Sequence, residues 1–196
     1  MTKLDQNALD LLFKDARSHN DFDPLPLDDG QLQALYDLMK MGPTSANCSP
    51  ARLVFVRSEA EKQKLAGFAM PANAEKIKNA SVCVIIANDS QFYDRIPELF
   101  PHNPEARDWF TGSADFAAET AMRNGSLQAA YLMMAARALG FDVGPMSGFD
   151  AAGVDAAYFP DGRFKANMLC NIGRGKPEAL FERSPRLAFD DACQIL

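Results

Sequence analysis

Seven consecutive residues, Ser81-Val82-Cys83-Val84-Ile85-Ile86-Ala87, carry no charge and no apolar–polar alternation. A strand of that pattern is covered on both faces, so it belongs at the centre of a sheet with a layer packed on each side. Two further runs read as strands: Arg52 to Arg57 around Leu53-Val54-Phe55-Val56, and Phe164 to Ile172. Helical spacing marks residues 5 to 16, with Leu9, Leu12, Phe13 and Ala16 on one face. It returns after an Asp28–Gln31 capping box, with Leu32, Leu35, Tyr36 and Met39 repeating up to Gly42. Glu59 to Phe68 and the long run Ala114 to Leu139 are helical, and a short helix follows Asp150. Residues 91 to 113, rich in aromatics and proline, read as irregular. The elements alternate without the regular units of a doubly wound sheet, which predicts a layered α/β or α+β sandwich. No repeat or internal linker divides the 196 residues, so one domain over 1–196 is expected.

Charge and composition narrow the partners. The net charge of -6 and a pI near 4.9 disfavour nucleic acid and anionic membrane surfaces. No apolar run nears the roughly 20 residues of a membrane span, and no secretory leader is expected. Cys48, Cys83, Cys170 and Cys193 stand far apart with no paired spacing, which fits a reducing cytoplasm. With only His19 and His102 beside them, a structural zinc site is not expected. Gly173-Arg174-Gly175-Lys176-Pro177 lacks the third glycine of a nucleotide fingerprint, and Pro177 stands where a helix should open.

Chemistry concentrates in a few places. Between the second helix and the first strong strand lies Gly42-Pro43-Thr44-Ser45-Ala46-Asn47-Cys48-Ser49-Pro50, a loop of short hydrogen-bonding side chains between two prolines. It suits a flat ligand rimmed with heteroatoms, or else it satisfies its own backbone through Ser/Thr and Asx turns. Three basic spots stand out: Arg17 with Ser18 and His19, Asn73 with Lys76, and Arg183 with Arg186. Arginine forks match phosphate oxygens, so these form one phosphate pocket if folding brings them together, and solvated surface charges if not. Gly144 to Gly148 reads as a tight loop where glycine permits close approach to a ligand. Ala117, Ala121, Gly125 and Ala129 recur every fourth residue of the long helix. That stripe lets a neighbour approach closely, within the fold or at a dimer interface.

Taken in order, five pieces resemble the FMN-dependent nitroreductase family: Ala16-Arg17-Ser18-His19-Asn20, Pro43 through Pro50, Asn73-Ala74-Glu75-Lys76, Gly144-Pro145-Met146-Ser147-Gly148-Phe149, and the Arg183/Arg186 tail. The run from Gly42 to Ala51 and the Arg17–Asn20 form are most similar to the malonic semialdehyde reductases of pyrimidine catabolism. The resemblance implies a three-layer α+β sandwich with a mostly antiparallel central sheet, a homodimer, and two FMN sites at the subunit interface. It places Arg17, Ser18, His19 and Arg183 or Arg186 on the phosphate, and Asn73 and Lys76 at the flavin ring. Pro43, Thr44, Ser45 and Asn47 would reach the partner's flavin. Pro145 and Met146 would lie along the cofactor, with Ser147 and Gly148 offering a backbone N–H. NADH or NADPH would reduce the flavin in a ping-pong reaction, Lys76 would support the reduced form, and no protein nucleophile would be needed. Malonic semialdehyde would be reduced to 3-hydroxypropionate, with His102 and Arg107 as candidates for its carboxylate. Ala16 and Asn20 depart from the basic residues usual there. Three other readings stand beside it: a broad nitroaromatic or quinone reductase, a cysteine hydrolase built on Cys48 with His19 or His102, and a flavin-binding module without turnover.

Overall fold

The computed structural model describes residues 2–196. Among them, five strands form one sheet: β1 (Phe22–Asp23), β2 (Ala51–Val56), β3 (Val82–Asp89), β4 (Asp142–Met146) and β5 (Phe164–Gly175). The helices are α1 (Gln6–Leu9), α2 (Asp29–Met39), α3 (Glu59–Ala66), α4 (Pro71–Asn79), α5 (Ile96–Leu99), α6 (Asp108–Thr111), α7 (Ala114–Ala138), α8 (Ala151–Tyr158) and α9 (Phe189–Ala192). Every strand pairing is antiparallel. β3 lies between β2 and β5, while β4 and β1 both pair with β5.

β3 is buried at all of its positions, and its side-chain alternation builds both layers. Val82, Val84 and Ile86 meet Leu35 and Met39 of α2 and Leu132 and Ala136 of α7. Cys83, Ile85 and Ala87 meet Leu65 of α3, Ile77 of α4 and Val154 of α8. The expected α+β sandwich and its central strand are therefore present. The Asp28–Gln31 capping box closes in both directions at the start of α2, and Asp150 caps α8.

Three expectations change, and one open alternative is decided. The first helix is a single α turn that widens into a π turn over Asp10–Lys14, and Phe13 is left exposed rather than packed. Residues 91 to 113 are not irregular: 3-10 turns at Phe92–Arg95 and Pro104–Arg107 alternate with α5 and α6. Phe92, Ile96, Ala106 and Phe110 from this stretch form a third core with Cys48 and with Ala117 and Ala121 of α7. Gly144 is not in a loop but in β4, opposite Asn171 of β5. Its missing side chain does permit close approach, but to the protein's own backbone: a Cβ there would sit 2.5 Å from the His19 carbonyl oxygen. The α7 stripe also faces inward. Ala117, Ala121, Gly125 and Ala129 are all buried in this chain, so the stripe serves the fold and not an interface between subunits.

Candidate functional site

Ser18 bridges to Val143 of β4, and the His19 N–H donates to the Val143 carbonyl at 2.9 Å. That pairing holds the end of the first helical segment against the sheet. The C-terminal tail crosses the same place. Arg17 donates from Nη2 to the Phe181 carbonyl, and Arg183 donates from Nη2 to the Ala16 carbonyl at 3.1 Å. Segments more than 160 positions apart in sequence are thus stitched together by two reciprocal arginine bonds.

A cavity of about 570 Å³ opens at this seam, lined by Arg17, Ser18, Asn20, Arg137, Arg183 and Arg186 among others. Four arginines and one acid, Glu182, contribute to its lining. Two of the three basic spots named from sequence therefore meet. His19 does not join them. Its imidazole turns inward and is buried, with Nε2 3.2 Å from Asp142 Oδ1 and the ring packed against the backbone of Gly175. Arg137 was missed. It stands in the last turn of α7, where a cation complements the helix dipole and reads as a cap. Its Nη1 donates to the Leu12 carbonyl, and desolvation lowers its pKa.

β4 leads from this cavity to a second group of candidates. Beyond Met146 the chain lies across the start of α4: Met70 N–H and Asn73 Nδ2 both donate to the Gly148 carbonyl, at 3.0 and 3.1 Å. A Cβ at position 148 would fall 2.8 Å from Asn73 Nδ2 and would push that amide aside. Lys76 follows Asn73 by three positions, which puts both on one side of α4. Glu75 holds Lys78, and among the described residues Lys76 has no ion-pair partner. Pro145 and Ser147 are exposed, whereas Met146 packs against the core under α3 and α8.

The 43–50 loop forms a separate feature. Ala46, Asn47 and Ser49 all have left-handed φ values, of 49°, 48° and 39°. Such backbone costs non-glycine residues about 1 kcal/mol or more each, so neighbouring bonds must hold it. Ser49 N–H donates to Thr44 Oγ1 at 3.1 Å, and Asn47 Nδ2 to the Leu99 carbonyl at 2.8 Å. Pro43, Ser45 and Asn47 stay exposed, and the loop does not line the arginine cavity of its own chain.

The remaining candidates separate from both groups. Cys48 is buried in an apolar cluster, which pushes its pKa up to about 11. A thiol so placed is no nucleophile at neutral pH, and the hydrolase reading falls with it. Arg107 is held by Asp94 and Asp108 at 3.4 and 3.6 Å and lies over the Tyr93 ring. His102 is exposed beside Phe100. A larger cleft of about 800 Å³ mixes acids and bases around Asp23, Arg174 and Lys176 and contains none of the candidates.

One strand, β4, thus joins the arginine-lined cavity to an amide, a lysine and the Gly148 backbone. Comparison with known proteins gives the class. The nitroreductase family matches residues 14–174, and the chain belongs to that family. HadB of Ralstonia pickettii, provisionally named an NADH dehydrogenase/NAD(P)H nitroreductase, is 55% identical over 190 residues, covering 96% of this chain and 97% of its own. A relative with the same provisional activity from Rhodopseudomonas palustris is 53% identical over 188 residues, covering 96% and 95%. Among solved structures, a Bacillus subtilis protein provisionally assigned as the nitroreductase ydfN superposes with a TM-score of 0.87 at 24% identity, covering 98% of this chain and all of its own. An Exiguobacterium sibiricum protein, likewise provisionally a nitroreductase and solved in complex with FMN, gives 0.85 at 20% identity with both chains fully covered.

Proposed function

We propose that this protein is an FMN-dependent NAD(P)H oxidoreductase that works as a homodimer. The observation that carries the reading is the meeting of Arg17, Ser18, Arg137, Arg183 and Arg186 around one cavity in a chain of this family. Four arginines, the hydroxyls of Ser18 and Ser184 and a single carboxylate suit a phosphate dianion. Arg137 supplies a positive charge that Ala16 and Asn20 do not. When bound, FMN supplies the redox chemistry, taking electrons from a nicotinamide and delivering them to an acceptor.

The chain's own residues bind and orient. The arginine cavity holds the phosphate. Asn73 presents its amide beside the Gly148 backbone, and Lys76 brings a positive charge to the same side of α4. The 43–50 loop stands away from this cavity in its own subunit, which supports its use at the partner's site. The exposed apolar side chains of Tyr36 in α2, Met41 just beyond it, and Phe116, Leu127 and Tyr131 on α7 support burial of these helices by a second copy.

For the acceptor, we propose malonic semialdehyde, reduced to 3-hydroxypropionate, on the resemblance of Arg17–Asn20 and Gly42–Ala51. The provisional naming of the relatives favours nitroaromatic compounds as a second reading. Steady-state oxidation of NADH and NADPH against malonic semialdehyde, a quinone and a nitroaromatic decides between them. A higher kcat/KM for the aldehyde acid is expected. A nitroaromatic preference would remove the pyrimidine assignment and leave the flavin class intact.

A further inference from the structure

The strained 44–51 segment is gripped from beneath by a single helix. Asn124 and Gln128 lie one turn apart on α7, 2% and 3% exposed. Asn124 Nδ2 donates to the Thr120 carbonyl at 2.9 Å, which fixes the amide and turns Oδ1 toward the loop. Oδ1 accepts the Ser45 N–H at 2.8 Å. Gln128 Oε1 accepts the Ala51 N–H, also at 2.8 Å. The two bonds fall at the ends of the stretch that contains the left-handed residues Ala46, Asn47 and Ser49. Arg52 closes the same stretch from the strand side, donating from Nη1 to the Ser49 carbonyl at 3.0 Å.

Buried amides at these two helix positions are not required for packing. Leucine or methionine would fill similar volume, but would leave the Ser45 or Ala51 N–H without its partner. Gln128 thereby sets where the loop ends and β2 begins, and Asn124 sets where the left-handed turn starts. Neither residue lines the arginine cavity.

We propose that Asn124 and Gln128 are positioning residues of the flavin site: from within the core they fix the conformation in which Thr44, Ser45 and Asn47 meet the cofactor. This rests on the reading of that loop as a flavin contact, whereas the clamp itself stands on the bonds above.

The test compares Gln128→Met, which removes the acceptor at nearly constant volume, with Gln128→Glu, which keeps it. Asn124→Ser, too short to reach the Ser45 N–H, is the second variant. Amide hydrogen exchange over 44–51 is measured without flavin, then the FMN dissociation constant, and kcat and KM separately. Gln128→Met and Asn124→Ser should speed exchange of the loop amides by about tenfold, the scale of one lost hydrogen bond. FMN affinity should fall or acceptor KM rise by a similar factor with kcat less affected, and Gln128→Glu should restore both. Unchanged exchange in folded variants overturns the proposal. So does faster exchange with unaltered affinity and KM. A wild-type protein that binds no FMN would overturn the functional reading itself, and would be seen before any substitution is made.

Discussion

Gly125 of α7 lies directly against Asn88 of β3: a Cβ at position 125 would come within 1.8 Å of Asn88 Oδ1. Helix and sheet touch there because glycine leaves room for a buried amide. Gly125→Ala is therefore an overpacking change, expected to cost about 1–3 kcal/mol. The midpoint of thermal unfolding should fall by roughly 2–4 °C per kcal/mol. An unshifted midpoint would mean that the helix stands further from the sheet.

Arg17 and Arg183 do two things at once, tying the tail to the first helical segment and facing the cavity. Arg17→Ala and Arg183→Ala should each weaken FMN binding by about tenfold to a hundredfold, the scale of a charge-assisted bond. Titration of the flavin-free protein by fluorescence measures it. Riboflavin, which lacks the phosphate, should be insensitive to both changes, and equal losses for the two ligands would move the phosphate elsewhere.

Lys76→Ala should lower the reduction potential of bound FMN, because a positive charge beside the ring favours its more negative, reduced state. A spectroelectrochemical titration reads this. The same potential in both proteins would take Lys76 out of the role.

Cys48, Cys83 and Cys170 are buried and Cys193 is exposed. A thiol-directed reagent should therefore label the native protein at Cys193 alone. Cys48→Ala should retain turnover, given a thiol that burial holds at about 11. Loss of turnover with flavin still bound would return the cysteine to the chemistry.

Tyr158 carries the pH prediction. Burial, then the nearby Glu61 carboxylate, raises its phenol from 10.0 to about 12. Because the folded value is the higher one, the stabilisation is complete below pH 10 and disappears as the pH climbs toward 12. Tyr158→Phe should flatten the alkaline fall in stability over that window, and an identical fall in both proteins would contradict the raised value.

The parts of the fold that were legible in sequence are those fixed by local pattern. β3 declares its central place by the unbroken apolar run Val82–Ala87, and α2 and α8 declare their starts through Asp28 and Asp150. β4 was not legible, because Gly144 and Pro145 look like a helix stop and a loop. Only the register against Cys170 and Asn171 of β5 makes them a strand. For the site, Arg17 and Arg183 could be named but not joined, since their meeting depends on a tail that crosses the end of the first helical segment. His19 is expected on the phosphate beside Arg17, and nothing local in the sequence shows that Gly175 leaves its imidazole a buried niche. Asn124 and Gln128 are not legible as site residues, because only the folded chain brings their amide oxygens to the Ser45 and Ala51 N–H groups.

The central claim is that this chain holds FMN through the arginine cavity, and the most direct measurement is the visible absorbance spectrum of the purified protein before and after denaturation. Flavin bands that pass into solution, identified as FMN by the released cofactor, and that return when FMN is added to the stripped protein, are the predicted result. A colourless protein that takes up no added FMN would contradict the account.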